Sequence, residues 1–194
     1  GHLETHGLIA RRQGIGTFVT IPSSPGFFGG LQRLEPFKEL ARTAGVQHSD
    51  VETSIDAATA SPKLAAVLDT EVGVELVYIQ TIQAIDEIRC MYVNDYLIDM
   101  GGLFEKLSNY KKSVLTYMFD ECNPSLSFTR SEIFAIEATD KIASKLKVPK
   151  GKPVFHMEET YFAARGNILG VGFSYFITDN FRFYITRKAI LGSS

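Results

Sequence analysis

The segments VELVYIQTIQAI (74–85) and IRCMYVNDYLI (88–98) are separated only by Asp86-Glu87. Both are rich in β-branched and aromatic residues, the composition of strands. A two-residue link joins only antiparallel neighbours, because a parallel crossover needs about a dozen residues or more. The same constraint returns near the end of the sequence. There KPVFHMEETYFAA, NILGVGFSYFI and FRFYITRK are joined through the short, turn-like RGN and TDN. VETSIDAATA and SLSFTRSEIFAIEAT supply further strands. Helices are expected between them. Residues 35–44 place Phe37, Leu40 and Ala41 on one face and end at Gly45. SPKLAAVLD has Ser61 at the cap and Pro62 at the first position, where its missing N–H costs nothing. GGLFEKL, SVLTYMFDE and DKIASKLKV, the last capped by Thr139 or Asp140, complete the set. The expected fold class is α+β: an antiparallel sheet of about six strands covered by helices.

The chain has 194 residues, enough for one domain with a real core or a domain with a small appendage. Its net charge of −2 excludes a uniformly basic nucleic-acid binder, so any such role must come from a local patch. No run is long and apolar enough to span a membrane and no signal-peptide pattern is present, so a cytoplasmic protein is expected. Cys90 and Cys122 form no Cys-x-x-Cys pair and are expected to be buried free thiols. His2, His6, His48 and His156 show no ligand spacing, so neither metal nor cofactor is expected. His156, between apolar residues, is expected to be hydrogen-bonded or at the surface.

The N-terminal stretch LETHGLIARRQGIGTFVT carries the most specific local signal. Residues 3–8 resemble a last helical turn ending at Gly7. Residues 9–13 and 17–21 then form two short strands around a Gly-rich turn. A dinucleotide phosphate loop needs a helix after its glycines, and here a strand follows, so that reading fails. By pattern alone the hairpin is either the wing of a winged helix-turn-helix, with Arg11 and Arg12 toward DNA phosphates or the minor groove, or a surface hairpin with two solvated arginines. The following IPSSPGFFGG, with two prolines, three glycines and two serines, has the composition of a linker.

This stretch resembles the end of the DNA-binding domain in GntR-family transcription regulators, whose recognition helix runs into GL-x-x-R-x-Q-G-x-G-T-F-V. Leu8, Arg11 or Arg12, Gln13, Gly14, Gly16, Thr17, Phe18 and Val19 carry the match. The resemblance implies DNA contacts from Arg11, Arg12, Gln13, Gly14, Gly16 and Thr17. It also implies that residues 1–21 are the remnant wing of a truncated DNA-binding domain, with residues 22–30 a linker. Residues 31–194 resemble the effector-binding UTRA domain of the HutC subgroup. The motifs are Glu132, Ile133 and Ala135, then Leu146, Val148, Gly151, Pro153 and Val154, then the closing YFAARGNILGVGFSYFITDNFRFYITRK. The resemblance implies a chorismate lyase-like sheet, a homodimer, a small-molecule effector and an operator bound by the full-length regulator.

Relatives that sense phosphorylated sugars carry Arg-x-Arg on the strand before the first hairpin and a Glu on the return strand. Aligned to that pattern, this chain has Thr81 and Gln83 at the arginine positions and Val93 at the glutamate. The bidentate phosphate clamp is thus lost unless Arg89 or Arg130 substitutes. The candidate effector-binding residues are Ser61, Thr81, Gln83, Arg130, Glu132, Tyr161 and Ser174. For Ser61 the competing role is an ordinary helix cap. On strand 153–162, alternation puts Phe155, Met157, Glu159 and Tyr161 on one face and His156, Glu158 and Thr160 on the other, with either face able to point inward. Phe162, Phe173, Phe176, Phe181 and Phe183 are expected mostly in the core. Two alternatives stand beside the sensor: a chorismate lyase-like enzyme and a dimerisation module with a vestigial pocket. Glu132, Glu158 and Glu159 are the available acids, but no Ser-His-Asp set, metal motif or nucleophile elbow accompanies them, so no catalysis is expected.

Overall fold

A computed structural model of the protein describes residues 9–12, 16–19, 27–31, 34–110, 113–179 and 181–185. The expected helical turn at residues 3–8, and Gln13 and Gly14, lie outside the described residues. Three short strands come first, β1 (Ile9–Arg12), β2 (Gly16–Val19) and β3 (Phe27–Gly30). Then follow α1 (Phe37–Ala44), β4 (His48–Thr59), α2 (Pro62–Leu68), β5 (Glu75–Ile85) and β6 (Ile88–Ile98). The remainder is α3 (Leu103–Ser108), α4 (Val114–Asp120), β7 (Leu126–Glu137), α5 (Asp140–Leu146), β8 (Pro153–Ala163), β9 (Ile168–Phe176) and β10 (Phe181–Tyr184).

The central sheet is antiparallel throughout, in the order β4-β5-β6-β9-β8-β7. The expected β5–β6 hairpin forms around Asp86-Glu87, with φ of 47° and 67°. Positive φ at both central residues is what a type I′ turn requires, and that turn matches the twist of its strands. Asp86 Oδ1 accepts from Gln47 N at 3.1 Å, tying the turn to the start of β4. Glu87 does no such work and carries the cost of a left-handed conformation. We expect Glu87→Gly to stabilise the protein by about 1 kcal/mol, measured by urea unfolding.

Helices cover both faces. On one, α2 sets Ala65 and Leu68 against Leu76 and Val171, and α5 sets Ile142 and Leu146 against Ile82, Tyr92 and Val154. Both helices begin as their sequences require: Ser61 Oγ accepts from Leu64 N at 3.3 Å and Thr139 Oγ1 from Ile142 N at 3.4 Å. On the other face lie α1, α3 and α4. Leu103, Leu107, Tyr117 and Met118 pack there with Val77, Ile79 and Leu97, and Phe37 and Ala41 pack with Met157 and Phe176. Gly45 ends α1 in the left-handed conformation, as expected.

Two expectations change. Residues 27–30, inside the stretch with linker composition, are the strand β3. Within FRFYITRK the described strand, Phe181–Tyr184, does not extend the central sheet: β10 pairs in parallel with β3, Phe181 opposite Phe27 through Tyr184 opposite Gly30. The aromatic set is also less buried than expected. Phe176 is buried, whereas Phe162, Phe173 and Phe183 are half-buried, the last against the cavity described below. Of the two free thiols only Cys90 is buried, and burial pushes it up to about 12; Cys122 is half-buried.

Candidate functional site

The antiparallel register lines up side chains from all six strands into transverse rows. Thr53, Thr81, Val93, Ser174, Met157 and Ile133 form one. The adjacent row is Ile55, Ile79, Asp95, Gly172, Glu159 and Ser131. Period-2 alternation points both rows to the face bearing α1, α3 and α4. These helices do not close down on the sheet centre. Between the rows and a roof that includes Leu40, Leu107, Val114 and Met118 lies a cavity of about 710 Å³. That volume suits a metabolite-sized ligand.

Its floor is polar at the centre. Tyr161 Oη donates to Asp95 Oδ1 at 2.6 Å, and Asp95 is only 7% exposed. Glu159 Oε1 accepts from Ser131 Oγ at 2.9 Å and from Thr129 Oγ1 at 3.4 Å. Gly172 stands between the two acids, and its missing side chain makes the arrangement possible: a Cβ there would lie 2.7 Å from Asp95 Oδ1 and overlap the Tyr161 hydroxyl. Burial pushes the Asp95 carboxyl up to about 7; the Tyr161 hydrogen bond opposes this and the nearby Glu159 charge adds to it. Burial also raises Glu159, against its bonds from Ser131 and Thr129, and raises the Tyr161 phenol well above its ordinary value.

Of the expected effector-binding residues, Thr81, Gln83, Tyr161 and Ser174 line this cavity, as does Val93. Ser61, Arg130 and Glu132 do not. Ser61 is the exposed cap of α2, on the opposite side of the sheet from the cavity. We expect Ser61→Ala to cost about 1 kcal/mol in denaturant unfolding and to leave binding in the cavity unchanged. Arg130 Nη2 and Glu132 Oε1 pair at 2.8 Å, both side chains more than half exposed, because Thr129, Ser131 and Ile133 take the inward positions of β7. Arg89 is no substitute phosphate ligand in this cavity either, since its Nη1 donates to the Lys145 carbonyl at the end of α5, 2.8 Å away. His156 is hydrogen-bonded, Nδ1 to the Ser174 carbonyl at 3.0 Å and Nε2 to Glu158 at 3.1 Å. Among the described residues no cluster of metal-ligating side chains occurs, and no helix is long and apolar enough to cross a membrane.

Sequence reasoning missed Asp95 and Gly172, and considered Glu159 only as one of three acids for an enzyme. The signal for Asp95 was present in a weak form, as a lone acid within the apolar strand of residues 88–98.

Arg11, Arg12, Gly16 and Thr17 fall on the hairpin β1–β2, where Arg11 pairs with Thr17 and Arg12 with Gly16.

A six-stranded antiparallel sheet, layered by helices and hollow on one face, is an α+β domain built around a cavity. The chain belongs to the UTRA domain family, whose model matches residues 43–182. Solved structures share the fold. PhnF from Mycobacterium smegmatis is 19% identical with a TM-score of 0.74, over 97% of this chain and 82% of that one. The effector domain of that PhnF is 17% identical with a TM-score of 0.68, over 79% and 95%. A GntR-family transcriptional regulator from Bacillus cereus is 15% identical with a TM-score of 0.59, over 74% and 99%. No curated protein sequence matches the chain.

Proposed function

We propose that this chain is the effector-sensing part of a ligand-responsive transcription regulator of the GntR family, HutC subgroup, and that it works as a homodimer. The observation that carries the reading is the cavity of about 710 Å³, whose floor retains a buried carboxyl at Asp95. A carboxyl held this far from water weakens the fold, so its presence in a hollow marks a binding group rather than a structural one. Thr81, Gln83, Tyr161 and Ser174 are the further contacts. Membership of the UTRA family supports the assignment, as does the likeness to a structure described as an effector domain.

The β1–β2 hairpin supports a wing, with Arg11, Arg12, Gln13, Gly14, Gly16 and Thr17 toward an operator. In this reading residues 22–30 connect the wing to the sensing domain, and bound effector biases dimer geometries that do or do not match two half-sites. Catalysis is not part of the reading. The described cavity lining holds no histidine or cysteine to activate a nucleophile.

Thermal unfolding in the presence of pooled metabolites tests the sensing role. A ligand at a hundred times its dissociation constant adds about 2.7 kcal/mol of stability, a clear rise in midpoint. No shift from any pool would favour a dimerisation module with a vestigial pocket. Turnover of a hydroxybenzoate-type compound would favour an enzyme.

A further inference from the structure

We infer that the cavity takes a small organic cation, its ammonium group seated over the Tyr161 hydroxyl against Asp95 and Glu159, and its body carrying a second hydrogen-bond donor for Gln83. This inference rests on the effector-cavity reading above and adds the chemical class of the ligand.

Charge is the first ground. The ionisable side chains lining the cavity include the carboxyls of Glu35, Asp50, Asp95 and Glu159, and among the described residues no lysine, arginine or histidine lines it. Asp50 lies 3.6 Å from His48, whereas the donors to Asp95 and Glu159 among the described residues are hydroxyls: Tyr161 for the former, Ser131 and Thr129 for the latter. The two acids share a row, with Gly172 between them and the Tyr161 hydroxyl over that glycine, so both carboxyls flank one part of the floor. An anion placed there meets two carboxyls and, among the described residues, no countercharge; a cation gains charge-assisted hydrogen bonds.

The second ground is independent of charge. Gln83 is 9% exposed and lines the same cavity, and its Oε1 is buried without a hydrogen-bond partner. A buried acceptor left open costs stability unless a ligand donor fills it. Gln83 lies two rows from Asp95 along the strands, a backbone separation of roughly 13 Å. Side chains reaching inward shorten that span to the length of an aryl-alkyl or diamino-alkyl body. The wall between them is apolar, with Met91, Val93, Met157 and Phe176.

The test compares two panels by thermal shift and titration calorimetry on the intact chain. One holds amines: tyramine, phenethylamine, cadaverine, agmatine and glucosamine. The other holds acids and phosphates of matched size: 4-hydroxyphenylacetate, phenylacetate, glutarate, adipate and glucose 6-phosphate. Saturable binding is expected from the amine panel alone. Asp95→Asn and Glu159→Gln should each weaken it by about tenfold or more, the scale of a charge-assisted hydrogen bond. Glu132→Gln, outside the cavity, should leave it unchanged.

Binding from the acid and phosphate panel only, insensitive to Asp95→Asn, would overturn the cation assignment while keeping the effector site. Silence from both panels would count against the cation class; if the metabolite pools were silent too, the sensing role itself would fall.

Discussion

Replacing Asp95 with asparagine will raise the unfolding midpoint at pH 8 and leave it nearly unchanged at pH 4. In the unfolded chain this carboxyl titrates near 3.8, and in the folded protein near 7. Between these values the folded state holds a proton that the unfolded state has lost. Stability therefore falls as pH rises through that window, and the full penalty applies above pH 7. Some three pH units at 1.36 kcal/mol each set a scale of about 4 kcal/mol, on the high side because part of the burial relaxes. Asparagine keeps the shape, still accepts from the Tyr161 hydroxyl, and carries no charge to desolvate. The check is a series of thermal melts from pH 4 to pH 8 on both proteins. The wild-type midpoint should decline relative to the variant across the window, and parallel curves would show that Asp95 is hydrated in the folded protein.

Gly172→Ala should do the opposite and destabilise at every pH, by about 3 kcal/mol. The new methyl group takes the place of the Tyr161 hydroxyl and lies 2.7 Å from Asp95 Oδ1, so the phenol must move. Tyr161 is only 6% exposed and packs with Val77, Leu97 and Leu169, which leaves it little room to yield. Overpacking of that kind costs about 1–3 kcal/mol, and the broken bond to a buried carboxyl adds a similar amount. Urea unfolding gives the size of the effect. Loss of ligand binding in the same variant, under conditions where it remains folded, would tie the Tyr161–Asp95 pair to the cavity's shape. An unchanged midpoint would mean that the ring swings aside without cost.

The parts of this molecule that were legible in the sequence are those set by local chemistry. Asp86-Glu87 between two strand-forming runs dictates a hairpin, and Ser61-Pro62 dictates a helix start; both form as expected. The partner of FRFYITRK was not legible. Its short TDN link suggests a neighbour within the sheet, whereas the strand it joins, FFGG, has two glycines and the composition of a linker.

The site divides in the same way. Thr81, Gln83, Tyr161 and Ser174 came from the family pattern and lie in the cavity. Arg130 and Glu132 were on the wrong face. β7 is an edge strand with both faces partly exposed, so alternation of apolar and polar residues does not tell inside from outside there. Asp95 and Glu159 meet only because β6, β9 and β8 adopt one particular register, and pairing between strands so far apart in sequence leaves no local trace.

The β3–β10 ladder has a mechanical meaning. It fastens residues 27–30 to the segment whose Phe183 and Ile185 wall the cavity, and Leu31 N extends it with a bond to the Tyr184 carbonyl at 3.0 Å. A molecule that displaced the β10 backbone at Phe183 would carry residues 27–30 with it, because the two strands share one ladder. Because such coupling would be reciprocal, a pull on β3 that moved β10 would in turn change how tightly the cavity holds an occupant. The two-strand ribbon is in effect a crank between a chemical event and a positional one.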